Sequence, residues 1–203
     1  MAAAQPTPIN VILFEGFEPL DVFGPVEVLG DLEDCALRYY SAEGGLSGCR
    51  QNARVMTQPF AAIDAGGILL VPGGMGTRAL VSDTAWLEEL SRLADLASWV
   101  LSVCTGSALL AAAGSLEHRA ATSNKRSWSW ATQFGRQVHW KPCARWVRDG
   151  KFYTASGVAA GTDMALAFVR DVYGAQKAQA IARRMEYVPN LEADNDPFAA
   201  CAG

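Results

Sequence analysis

Three apolar runs without a charge, residues 9–14, 67–71 and 99–103, each end at small or turn-forming residues and give way to a helical pattern. A strand with no charge on either face is suited to burial on both, which calls for a parallel sheet covered by helices. After the first run Glu15-Gly16 breaks the pattern, and Pro19 suits the first turn of a helix reaching about Gly30. A second strand is expected over 37–42. Asp83-Thr84 can cap a helix over 85–96, where Trp86, Leu90, Leu93 and Leu96 fall at helical spacing. The run 99–103 passes at once into a helix over 107–113, stopped by Gly114. This alternation predicts an α/β fold, a three-layer sandwich around a largely parallel sheet, with ligands at the carboxyl ends of the strands.

Beyond Glu117 short strands are expected over 118–122, 138–140, 144–148 and 151–154, with Asp149-Gly150 as a hairpin turn. A helix over 127–134 sits among them, and two closing helices over 162–173 and 175–187 are parted by Gly174. No repeat or linker divides the chain, and 203 residues suit one domain. The reading is a flexible arm over 1–8 and a single domain over 9–203.

Composition narrows the function classes. The net charge of −4 comes without a basic stripe, which argues against nucleic-acid binding. The longest nearly apolar stretches fall far below the roughly 20 residues that span a bilayer, and no secretory signal pattern opens the chain. Five cysteines stand far apart without a CxxC pair, so no zinc or other metal site is expected. Their odd number reads as reduced thiols in a cytoplasmic protein. Cys35, Cys49 and Cys143 are expected as buried small hydrophobes and Cys201 as an exposed tail residue. Without a phosphate loop or GxGxxG, no nucleotide cofactor is expected.

Three strand ends carry the candidate chemistry. Cys104 stands where the run 99–103 meets a helix, with small residues two before (Ser102) and two after (Gly106). That is the steric requirement of a nucleophile elbow, whose helix N-terminus would favour a thiolate; a buried cysteine ending a strand is the equal alternative. Gly73 and Gly74 follow a buried strand, either as an ordinary turn or as backbone donors that, with Thr105 or Cys104, face negative charge on a substrate. Asp21 lies in an apolar helix start, where it serves the helix dipole or else points at Cys104. In the second case thiol and carboxyl would share one proton and Asp21 would act as general acid. His118 and His139 both fall away from the strand ends, which disfavours a Cys–His pair. Phe17, Trp128 and Trp130 are candidates for a pocket wall.

The LDxxGPxEVL stretch around Asp21, the LLVPGG strand end and the SVCTGSxLLAAAGSL elbow together resemble the ThiJ/PfpI superfamily, over about residues 10–197. Within it the "LDVFGP" aspartate and the "CTG" elbow are most similar to isonitrile hydratases. The resemblance implies a flavodoxin-like homodimer without metal or organic cofactor. It also implies Cys104 as nucleophile, Asp21 as acid/base group and Thr105 as a residue that positions substrate or water. Where many relatives carry a histidine, in an "ATTHW" stretch, this chain has Asn124. The implied reaction is hydration of an isonitrile to an N-substituted formamide through a Cys104 thioimidate. The alternatives are glyoxalase- or deglycase-like attack on α-oxoaldehydes, a cysteine-oxidation sensor, and a ligand-sensing domain without catalysis.

Overall fold

The structure, a computed structural model, describes residues 6–199. Cys201 and the first five residues of the expected arm lie outside that range. Thr7 and Pro8, placed in the arm by sequence, already belong to strand β1 (Thr7–Ile12), opposite Cys35 and Ala36 of β2 (Cys35–Ser41). On its other side β1 pairs in parallel with β5 (Ile68–Val71), which pairs with β6 (Trp99–Val103). Beyond β6 lie β10 (Phe152–Ala155), parallel, and β9 (Trp146–Asp149), antiparallel through the expected Asp149-Gly150 hairpin. At the opposite edge β2 is followed by β4 (Arg54–Pro59), parallel, and β3 (Glu43–Gly48), antiparallel to β4. The eight-stranded order is β3-β4-β2-β1-β5-β6-β10-β9. A separate parallel pair joins β7 (Ala120–Ala121) to β8 (His139–Trp140).

The charge-free runs behave as their composition demands. Every residue of β5 is buried, as are the last four of β1 and of β6. Helices α1 (Pro19–Leu29), α6 (Ala160–Tyr173) and α7 (Ala175–Arg184) pack together as one covering layer. Helices α2 (Thr77–Leu80), α3 (Thr84–Leu96) and α4 (Gly106–Ala112) pack together as another. Asp83 caps α3 as expected, its carboxylate accepting from Trp86 N at 3.1 Å. Trp99, Tyr153 and Phe168 form an edge-to-face cluster that fixes α6 on β6 and β10.

The β3–β4 hairpin is absent from the sequence reading, because β3 is rich in glycine and neither strand shows a clean alternation. Helix α5 covers only Trp128–Ala131 of the expected 127–134, and α7 stops at Arg184 because Glu186 takes a left-handed φ of 50°. Cys143 is exposed rather than buried. Among the described residues no helix is long and apolar enough to cross a membrane.

Gly106 decides how closely β6 and α4 pass the end of β5. A Cβ there would collide with Val71 O and stand 2.8 Å from Pro72 O, both rigid backbone. Gly106→Ala is therefore expected to destabilise the fold by about 1–3 kcal/mol or more, as overpacking does, read as a lowered denaturation midpoint.

Candidate active site

The short link from β6 to α4 forces Cys104 into a left-handed conformation, φ 58°, which few residues with a side chain adopt. The strain is held from three sides. Cys104 N donates to Ala155 O on β10 at 3.1 Å, and its carbonyl accepts from Ser107 Oγ at 3.0 Å and Ser123 Oγ at 3.1 Å. An elbow pinned in this way presents the side chain above the sheet. Ser102 and Gly106, the small flanking residues, are both fully buried against it.

Asp21, in the first turn of α1, has no exposed surface. Its Oδ2 accepts from Gly73 N at 2.9 Å, while Oδ1 is buried without a partner. Burial pushes the carboxyl up to about 8, the nearby Glu18 charge adds to this, and the Gly73 N–H and the Cys104 thiol pull back only in part. Asp21 is thus biased toward its uncharged acid, with Oδ1 lacking any donor to favour the ionised form.

Cys104 is raised as well, by burial first and by the neighbouring Asp21 second. The N–H and hydroxyl of Thr105 and the side chain of Asn124 favour its thiolate but do not outweigh these causes. This direction runs against the expected dipole-stabilised thiolate. The start of α4 is buried, and desolvation there opposes what one short helix supplies, so both groups are biased toward their protonated forms.

Gly73 and Gly74 are bound into the site rather than turned to a ligand. Gly73 N holds Asp21, and Gly74 N donates to Thr105 Oγ1 at 3.1 Å. Both of the expected substrate-facing donors are therefore already used. A Cβ on Gly73 would lie 2.6 Å from Thr105 N and 2.9 Å from Asp21 Oδ2, so only glycine lets acid and elbow meet. Thr77 Oγ1, 3.2 Å from Thr105 Oγ1, completes the frame around that hydroxyl.

Cys104 and Thr105 open onto a cavity of about 290 Å³ that Asn124 also lines. Asn124 Oδ1 accepts from Ser127 N at 2.9 Å, which leaves its amide nitrogen free to face the sulfur. The three aromatic candidates stay outside the cavity lining. Phe17 is wholly buried in the core. Trp128 packs edge-on to Trp140, and Trp130 lies 3.5 Å beneath the Arg78 guanidinium. The sequence reading missed Arg78, Arg50 and Arg126 on the cavity wall, since in one dimension they look like ordinary solvated charges. Neither histidine lines it, and among the described residues no group of three or more His, Cys, Asp or Glu converges as a metal site.

The DJ-1/PfpI family pattern matches residues 8–171, both strand-end glycines and the elbow included. The chain belongs to the DJ-1/PfpI family. Among its relatives an isonitrile hydratase of Pseudomonas putida is 31% identical over 185 residues, 89% of this chain and 78% of that protein. A ThiJ/PfpI family protein from Pseudomonas syringae superposes with a TM-score of 0.83 at 28% identity, covering 91% of this chain and 76% of that one. Drosophila melanogaster DJ-1beta shares the fold at 20% identity, with a TM-score of 0.75 over 90% of this chain and 99% of that one. This DJ-1/PfpI chain thus has the flavodoxin-like architecture expected of it, with the elbow cysteine and a buried acid meeting at the strand ends.

Proposed function

We propose that this chain hydrates isonitriles, R–N≡C plus water giving R–NH–CHO, with Cys104 as nucleophile and Asp21 as general acid. The observation that supports it is a buried carboxyl, its proton held more tightly than usual, beside a thiol that opens onto a cavity. The terminal carbon of an isonitrile accepts both a proton and a nucleophile, and this pair supplies both. Asp21 protonates the carbon, Cys104 sulfur bonds to the same carbon, and the thiol proton returns to Asp21. The product is a thioimidate, R–N=CH–S–Cys104. Water then adds across C=N, its hydroxyl to carbon and its proton to nitrogen. The C–S bond breaks as the carbonyl forms, and sulfur regains the hydroxyl proton. Each atom of substrate and water leaves in the formamide.

Thr105 orients water or substrate in this reading, its hydroxyl fixed by the Gly74 N–H. Asn124 offers an amide N–H to sulfur as charge develops there. The absence of histidine from the cavity lining weighs against Cys–His chemistry. Residence in the cytoplasm and the homodimer implied by the resemblance go with the same reading, and light scattering measures the latter directly.

The test is turnover of an aryl isonitrile, with methylglyoxal in parallel. Formamide production without methylglyoxal consumption is the expected result; methylglyoxal consumption alone would replace this reading with the α-oxoaldehyde one.

A further inference from the structure

The cavity beside Cys104 carries more positive charge than thiol–acid chemistry requires. Arg50, Arg78 and Arg126 all line it, against one carboxylate, Glu18. Among the described residues none of the three arginines has a carboxylate within salt-bridge distance. Glu18 accepts from Gln51 Nε2 at 3.4 Å and does not pair with any of the three.

Arg78 is the built member of the set. Its guanidinium carbon lies over the Trp130 ring, 3.5 Å from the centroid, and one terminal nitrogen donates to Ser127 Oγ at 3.1 Å. A guanidinium has five N–H groups in a planar fork, so this clamp fixes its orientation while leaving donors over. Arg78 is also half-buried, and burial lowers its affinity for its proton, as expected for a cation removed from water without an anion to pair with. Arg50 and Arg126 are exposed on the same cavity wall, where they steer rather than clamp. Val158 and Met75 supply apolar surface on the same wall. A volume of about 290 Å³ sits at the small end of ligand cavities and suits a compact molecule.

We propose that the cavity is a subsite for a carboxylate on the substrate's side group, so that the preferred substrate is an isonitrile carrying a carboxylate, held by the Arg78 fork while its isonitrile carbon meets Cys104. This rests on the hydration reading for the reaction but not for the anion site itself. Arg78 acts in binding and orientation, with no proton or bond transferred to it. Two parallel N–H···O bonds from a planar, pre-oriented fork match a carboxylate and are stronger than neutral hydrogen bonds.

The test separates site from reaction. Calorimetric binding of benzoate and of benzamide to the full chain reads the subsite without any turnover. Benzoate is expected to bind at least about 10-fold more tightly, the scale of a hydrogen bond to a charged group, with the preference shrinking as salt rises. Arg78→Gln is expected to erase the preference, and Arg78→Lys to restore it only in part. For turnover, 4-isocyanobenzoate and its methyl ester are compared by KM and kcat. The wild type is expected to show a lower KM for the acid, and Arg78→Gln to bring the two KM values together. Equal binding of benzoate and benzamide by the wild type would overturn the proposal, as would a preference that survives Arg78→Gln. If Arg78→Gln fails to fold, Arg78→Lys decides the matter: a benzoate preference equal to the wild type's would overturn the proposal. Arginine-dependent benzoate binding with no hydration of either isonitrile would leave the anion subsite standing and remove the hydration reading. Hydration of both isonitriles with equal KM would do the reverse.

Discussion

Asp21→Asn is expected to lower isonitrile turnover by about 10²–10⁴-fold, the usual scale for loss of a general acid, while making the protein more stable at pH 8. The two effects have one cause. In the fold Asp21 holds its proton up to about 8, against 3.8 for the free side chain. Between these values the unfolded chain ionises first, so the folded-state advantage of the protonated acid is intact below about pH 4 and is lost progressively up to about 8. Asparagine keeps an oxygen to accept from Gly73 N and cannot ionise, so it escapes that loss. Allowing for relaxation of the site, the gain at pH 8 should be on the order of 1–3 kcal/mol and should vanish near pH 4. Chemical denaturation of both proteins at the two pH values measures it. The same titration predicts that wild-type kcat/KM falls above about pH 8, as the acid loses its proton. A variant that kept full activity would remove Asp21 from the chemistry, and one less stable than wild type at pH 8 would make it a structural residue.

Cys104→Ala is expected to cost at least about 10⁴-fold in hydration, since the covalent route closes with the sulfur. Folding should survive. Alanine carries the same Cβ into the φ of 58°, and the backbone bonds to Ala155, Ser107 and Ser123 do not involve the thiol. Near-native denaturation together with the loss of activity would locate the defect in chemistry. The protonated resting state also bears on the oxidation-sensor alternative. Peroxide attacks thiolates, and burial biases this cysteine toward the thiol. Slow oxidation of Cys104 at neutral pH is therefore expected from the mass of the intact protein after mild peroxide treatment.

The parts of the fold legible in the sequence are those with a local cause. Charge-free runs at 9–14, 67–71 and 99–103 had to be doubly buried strands, and Ser102 and Gly106 marked the elbow because backbone proximity leaves no room for larger residues. The β3–β4 hairpin left no such mark, since pairing at a sheet edge depends on neighbours more than on pattern. At the site, Asp21 and Cys104 were singled out by position alone, but their protonation was not legible. It depends on how much water the surrounding chain removes, which no spacing records. The glycine pair is legible as residues but not in its partners, because which group an N–H faces is settled only when α1 and β5 come together. Arg78 was invisible for the same reason: Trp130 lies 52 positions away in sequence and supports it only after folding.

The central claim is a covalent bond between Cys104 sulfur and the isonitrile carbon. Rapid-quench mass spectrometry of the wild type mixed with an aryl isonitrile tests it most directly. A transient species heavier by one whole isonitrile is expected on the peptide that contains Cys104, appearing before formamide and decaying as formamide is released. Formamide formed through the first turnover while Cys104 stays unmodified and open to alkylation at every time point would contradict it.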